Sequence, residues 1–410
     1  MTINSWKEHK AGELAANDRN SFVIGPFGSD LVQADYRDSG VPVVFVRDVK
    51  RSRFHWISNV YVSDQKAEAL KAHSVYGGDI VITKMGLPPG LAAVYPYDAP
   101  AGVITADIIR LRPNTTQVNS AFLCEVLNSH SVRKQVYERT AGQTRPKLTL
   151  ADYKTIRLNL PPLQEQKKIA RILSTWDKAI TTTEQLLANS QQQKKALMQQ
   201  LLTGKKRLLD KNGVRFSWEW QDIRLKSVLR EVKTRNKNNS IDRVLSVTNH
   251  SGFVLPEEQF SKRVASDDVS NYKVVKNGEY GYNPSRLNVG SFARLDSYEE
   301  GLLSPMYVVF SVNEKLLNSD YFMNWMSSNE AKQRISGSTQ GSVRDSVGFD
   351  SLCGFPFKLP PMAEQQKIAI VLSTADQEIA VLQQKLDALK QEKKALMQQL
   401  LTGKRRVLVN

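Results

Sequence analysis

Cysteine is almost absent from these 410 residues: Cys124 and Cys353 stand far apart with no CxxC, which excludes a disulfide framework and a zinc-finger spacing. Histidine is as sparse, and His9, His55, His73, His130 and His250 are scattered with no partner at metal-ligand spacing. No apolar run approaches the roughly 18 residues of a membrane span. The opening stretch MTINSWKEHKAGELAANDRN lacks the apolar segment of a secretory signal. Neither a GxGxxG nor a GxxxxGK[ST] loop is present, so no nucleotide cradle is written in the chain. No carboxylate pair or PD…(D/E)xK nuclease pattern stands out. Together these gaps point to a cytoplasmic, metal-free chain that holds no cofactor and catalyses nothing on its own.

Positive charge is plentiful. The chain has 57 Lys+Arg against 41 Asp+Glu, a formal net charge of +16. Such a balance favours a polyanionic partner, with nucleic acid ahead of an anionic membrane. The length allows two or three domains, each with its own core.

The dodecamer KKALMQQLLTGK occurs twice without a change, at Lys194–Lys205 and Lys393–Lys404. At an offset of 199 residues, LPPLQEQKKIARILSTWDKAI from Leu160 aligns without a gap on LPPMAEQQKIAIVLSTADQEI from Leu359. Roughly 30 of about 50 positions match across this region, far above chance. Upstream the match weakens but persists: NSAFLCEVLNS from Asn119 lies opposite NSDYFMNWMSS from Asn318. The chain is two copies of one unit, each a variable region of about 150 residues followed by a near-constant region of about 50. The boundaries are 1–158, 159–208, 209–357 and 358–410.

The constant region reads as a helix. Pro161 and Pro162 suit its first turn and N1 position, Gly204 its C′ position, and Lys205, Lys206 and Arg207 follow where the helix dipole favours cations. An a/d seam runs along it: Ile169, Leu173, Trp176, Ile180, Leu187, Leu197 and Leu201 in the first copy, and Ile368, Leu372, Ile379, Leu382, Leu386, Leu389, Leu396 and Leu400 in the second. Lys194 and Lys393 interrupt both seams at the same place, as residues that set register and orientation do. About 40 helical residues span roughly 60 Å. An isolated seam of this kind reads as a dimerising coiled coil. Because each helix has its equivalent in the same chain, an intramolecular antiparallel pair with pseudo-twofold symmetry is more economical, and would hold the variable regions apart like a spacer bar.

The variable regions read as mixed α/β, so the fold class is α+β. Short β-branched or aromatic runs, Val41–Val49, Gly78–Lys84, Gly102–Pro113, Arg243–Gly252, Glu279–Leu287 and Ser304–Val312, are bounded by Gly, Pro and Asn. SAFLCEVLNSHSVRKQVYERT and SDYFMNWMSSNEAKQRISGS read as helical. YNPSR at Tyr282–Arg286 is similar to the NPPY loop of amino-methyltransferases but lacks its second proline and aromatic residue, which leaves a strand end with a polar turn as the plainer reading.

Two divergent regions alternating with two near-identical helices, each opened by LPP and EQ and closed by LLTGK, closely resemble the specificity (S) subunit of Type I restriction–modification enzymes. GPFGSDL with a following Y…G.P (Gly25–Pro42), YNPSRLNVGSFA (Tyr282–Ala293) and SPMYVVF (Ser304–Phe310) add to the resemblance, which covers essentially the whole chain. It implies two target recognition domains that read the halves of a bipartite double-stranded DNA target. The helices would set the spacing and dock two methyltransferase subunits, with two restriction subunits completing a full system. S-adenosylmethionine, ATP and Mg would then be bound by the partners. Polar and basic residues at strand ends and loops are the candidate DNA contacts: Ser29, Arg47, Lys84, Arg145 and Lys147 in the first region, and Asn283, Arg286, Asn288, Arg294 and Arg344 in the second. Rival readings are a specificity subunit of a modification-only system, a stand-alone modification enzyme, which the missing cofactor loop disfavours, and a coiled-coil adaptor without a DNA role, which the charge disfavours.

Overall fold

The computed structural model describes residues 6–86, 88–140, 146–259, 268–339 and 346–408. Two compact units emerge, Met1–Thr183 with Lys385–Asn410, and Glu184–Gln384. Both unit boundaries fall inside a helix. The first long helix is Leu163–Leu201 and the second Met362–Leu400, 39 residues each, so every unit owns the beginning of one helix and the end of the other.

In the first unit, strand Lys7–Lys10 pairs antiparallel with Arg157–Leu160, which leads into the first long helix. An antiparallel sheet follows in the order Phe22–Ile24, Ile108–Leu111, Ile80–Thr83, Ala92–Val94. A second sheet takes the order Tyr61–Val62, Val41–Val44, Gly102–Ile104, Ser74–Val75, and its middle pair is parallel. The core is mostly aliphatic: Ile80, Ile82, Ile109 and Leu111 from the sheet meet Ile169 and Leu173 from the first helix, Leu400 at the end of the second and Leu401 just beyond it, with Phe22, Phe122 and Tyr153 as its buried rings. Each such side chain, fully buried, contributes roughly 1.5–3 kcal/mol.

The second unit repeats the plan with different contents. Gln221–Arg224 pairs with Pro356–Leu359. A sheet of the same order comprises Leu229–Glu231, Val308–Val312, Tyr280–Tyr282 and Phe292–Arg294. Its core is aromatic: Tyr280 stacks on Phe310 at 5.1 Å and Trp325 meets Phe357 edge-on at 4.9 Å. Where the first unit pairs Ile80 with Leu111 across its sheet, the second pairs Tyr280 with Phe310.

Several expected elements divide. Val41–Val49 is a strand only to Val44, because the Asp48 carboxylate accepts the Phe45 N–H at 2.8 Å and turns the chain. Gly102–Pro113 splits at Thr105, whose N–H and hydroxyl both donate to the Val44 carbonyl. The helical stretch after Asn119 is two helices, Ser120–Leu127 and His130–Glu138. Buried Asn128 breaks it, since its side chain folds back to donate to the Cys124 and Ala92 carbonyls and accepts from Ala92 N–H. Pro161 and Pro162 precede the first helical residue rather than occupying N1.

Within each unit the two helix segments run antiparallel. In the first, Asp177 pairs with Lys393 at 2.7 Å and Glu165 with Arg406; in the second, Lys194 pairs with Asp376 and Glu364 with Arg207. The seam interruptions Lys194 and Lys393 thus each meet an aspartate on the facing helix, in a register that a parallel pairing would forbid. Seam residues Ile169, Leu173, Ile180, Leu187, Leu201, Ile368, Leu372, Leu386 and Leu400 are buried, whereas Trp176, Leu197, Ile379, Leu382, Leu389 and Leu396 are half-buried.

The repeated EQ is a double clamp. Glu165 accepts from two guanidinium nitrogens of Arg406, Nε and Nη2, at 2.8 and 2.7 Å, and from the Val407 N–H. Burial pushes its carboxyl upward, but the bonds from Arg406 and Val407 outweigh this and hold it below the ordinary glutamate value. Glu364, with no exposed surface, accepts both nitrogens of Arg207 and additionally the Trp220 indole N–H at 3.0 Å. Next to them, Gln166 accepts the Asn119 N–H and Gln365 the Asn318 N–H, while both asparagines cap the first helix of their helical hairpin. Gly204 and Gly403 close the long helices at φ 71° and 72°, where a β-carbon would press on the rings of Trp220 and Trp6.

Candidate nucleic-acid interface

Of the first-unit candidates, Arg47 lines a groove of about 590 Å³, and Ser29 and Lys84 are chain neighbours of residues that line it. Arg47 lines it together with Lys50, Thr105, Asp107, Met85 and Gly28. Ser29 is exposed next to Gly28. Lys84 is half-buried and directs its ammonium to the Ala106 carbonyl at 3.4 Å. Lys147 is exposed, and its backbone bridges Met85, so the two lysines belong to adjacent strands of chain at one rim. Arg145 lies outside the described residues.

In the second unit, Asn283, Arg286 and Asn288 share one turn. Asn283 is buried and spends its side chain capping the 3-10 helix Pro284–Val289, accepting from the Ser285 N–H at 3.0 Å. Arg286 and Asn288 are exposed, and Asn288 lines a groove of about 520 Å³ with Asn249, His250 and Lys332. Tyr282 is fully buried in the aromatic core, so the YNPSR stretch offers no aromatic ring to an extruded base. Arg294 stands apart: it donates to Asp296 at 2.6 Å and to Asp320 at 2.8 Å. Burial draws its guanidinium down, but the bonds to these two carboxylates carry it net upward. With two aspartates on one arginine, this position presents no free positive charge to a phosphate. Arg344 lies outside the described residues.

Charge in the first unit is also sorted. Arg110 is buried at 1% exposure and donates to the Ser74 and Asn20 carbonyls, so it braces strands; burial is the main cause that lowers it to about 10. Arg112 binds Asp79 through two nitrogens, at 3.1 and 3.2 Å. Arg47, in contrast, is exposed and, among the described residues, paired with no carboxylate, its Nε donating to the Ser58 hydroxyl. Among the described residues no cluster of histidine, cysteine, aspartate or glutamate could hold a metal ion, and no helix is long and apolar enough to cross a membrane.

The chain is a duplication of one mixed α/β domain, each copy packed on antiparallel segments of two long helices and bearing basic residues beside a groove. The description "Type I restriction modification DNA specificity domain" matches residues 34–189 and 284–391, and the chain belongs to this family. It is 23% identical over 393 residues to a Methanocaldococcus jannaschii protein provisionally assigned as the type I restriction enzyme MjaX specificity subunit, covering 90% of this chain and 88% of that one. It is 22% identical over 387 residues to the MjaVIII specificity subunit of the same organism, covering 89% of each chain. The crystal structure of the Type I restriction–modification S subunit from M. genitalium superposes with a TM-score of 0.56 at 12% identity, over 100% of this chain and 98% of that one, which shows the shared fold.

Proposed function

We propose that this chain is the DNA-recognition and scaffolding subunit of a Type I restriction–modification complex. Each unit's domain would read one half of a bipartite double-stranded target, and the helices continuous between them would fix the unspecified gap. Tethering two readers raises the effective concentration of the second once the first is bound, so modest half-site affinities combine. A fixed spacer makes the gap part of the specificity, because one inserted base pair both shifts and rotates the second half-site.

The observation that carries this reading is the doubled tail. In KKALMQQLLTGK, packing accounts for the seam leucines, the lysine that meets an aspartate and the closing glycine. Lys195, Gln199 and Gln200, like Lys394, Gln398 and Gln399, are exposed and yet identical. Two identical outward surfaces beside two divergent domains fit two copies of one partner, the adenine methyltransferase subunit with its S-adenosylmethionine. Two restriction subunits would bring ATP and Mg. Catalysis would belong to these partners, and cytoplasmic DNA is the substrate.

The test is the genome-wide adenine-methylation pattern of the source strain with and without the gene. Loss of methylation at one motif of two short blocks around a fixed gap is the expected result. An unchanged pattern in a strain that expresses the chain and its methyltransferase would overturn the reading.

A further inference from the structure

Exposed arginines are normally mobile, so one held rigid at a groove rim calls for an explanation. The Arg47 guanidinium lies over the Phe45 ring at 4.7 Å, and its Nε donates to Ser58 Oγ at 2.8 Å. The Ser58 hydroxyl has one proton, and both oxygens of Asp48 lie within 2.8 Å of it. The polarity therefore runs one way: Arg47 donates to Ser58, and Ser58 donates to Asp48. Asp48 is fully buried and also accepts the N–H groups of Phe45, Ile57 and Ser58, at 2.8, 3.0 and 2.8 Å. A buried carboxylate thus fixes a hydroxyl, which fixes the Nε edge of an exposed guanidinium.

Among the described residues, the pair of terminal nitrogens has no hydrogen-bond acceptor. Two parallel donors on a plane set by an aromatic ring match the O6 and N7 acceptors of guanine in the major groove. A phosphate can accept the same fork but carries no sequence information, so a loss confined to one base position distinguishes the guanine contact from a phosphate contact. The second unit supplies the contrast, since Arg294 is just as well ordered but spends its donors on Asp296 and Asp320.

We infer that Arg47 is a specificity-determining residue that reads one guanine in the half-site taken by the first unit, with Ser58 and Asp48 as its positioning residues. This rests on the DNA-specificity reading above. The test maps adenine methylation in cells that express the full chain with its methyltransferase partner, comparing the unaltered chain with Arg47→Ala, Arg47→Lys, Ser58→Ala and Ser58→Thr. The expected result is that Arg47→Ala and Arg47→Lys both lose about ten- to hundredfold discrimination at one G·C position of one block, with the other block untouched. Ser58→Ala relaxes the same position more weakly, and Ser58→Thr restores it. An unchanged motif in Arg47→Ala overturns the inference and leaves the DNA reading standing. So does a motif kept intact by Arg47→Lys while Arg47→Ala lowers methylation evenly at every site, which would make the contact a phosphate one. An even loss in all four variants would make the cluster structural and overturn it too. If the unaltered chain directs no split motif, the DNA reading falls and the inference with it.

Discussion

The two units share the strand order of one four-stranded sheet and have different interiors. Ile80 facing Leu111 becomes Tyr280 facing Phe310, and a stack of rings replaces a mostly aliphatic core. What stays the same is where each domain meets the helices: Asn119 with Gln166 and Asn318 with Gln365, Glu165 with Arg406 and Glu364 with Arg207. A sheet tolerates wholesale exchange of its packing if volume and pattern are kept, whereas a buried ionic clamp tolerates no change in one partner alone. Within the domains, constancy is therefore greatest at the polar joints, and the interiors are free to diverge beyond them.

Because two units need not unfold together, segment-resolved hydrogen exchange is the measurement that separates them. The largest effect is expected in the cores. Phe310→Ala should destabilise the second unit by about 4 kcal/mol and Leu111→Ala the first by about 3 kcal/mol. Equal or reversed losses would deny that the ring stack carries the second unit. Next come the clamps. Glu364→Ala should cost about 3 kcal/mol and Glu165→Ala about 2 kcal/mol, since the first also deprives the Trp220 indole of its acceptor while the Trp6 indole nitrogen has none to lose. The seam lysines are smaller still: Lys194→Ala should cost less than about 1 kcal/mol, the range of a solvent-exposed pair, with Lys393→Ala somewhat above it because both Asp177 oxygens are engaged.

Acid supplies the finest distinction. Glu165 sits below its ordinary value of 4.5, so its contribution is fully present above that pH and is lost as pH falls through the depressed folded value. The protection of the Val407 amide, taken relative to the intrinsic exchange rate at each pH, should therefore be high at neutral pH and fall on acidification below the ordinary range. In Glu165→Gln that protection should be lower at neutral pH and show little further change on acidification.

The repeat and the helices were legible because heptad spacing and identity at a fixed offset survive in one dimension. The sequence also held a trace of the clamps, since Asn119 to Gln166 and Asn318 to Gln365 are separated alike. It could not show what those residues touch, for Arg406 meets Glu165 only once the second helix has returned. Arg207 reads as a cation at a helix end, a local explanation that its bidentate pair with Glu364 supersedes. The candidate DNA contacts were the least legible. Arg47 and Arg294 both sit in β-rich surroundings, and only folding reveals that two aspartates close around one while a serine and a phenylalanine hold the other open.

The return of the second helix also sets an order for biosynthesis. Leu396, Leu400 and Leu401 help to fill the first unit's core, and Arg406 neutralises Glu165, yet these residues follow the rest of that unit by some two hundred positions in the chain. The second unit has all its parts once Gln384 has left the ribosome. The domain that emerges first is thus the last to close, waiting with an apolar face open and a carboxylate unpaired through some two hundred residues of synthesis. A nascent chain stalled before Lys385 should hold a protected second unit and a first unit still open to protease.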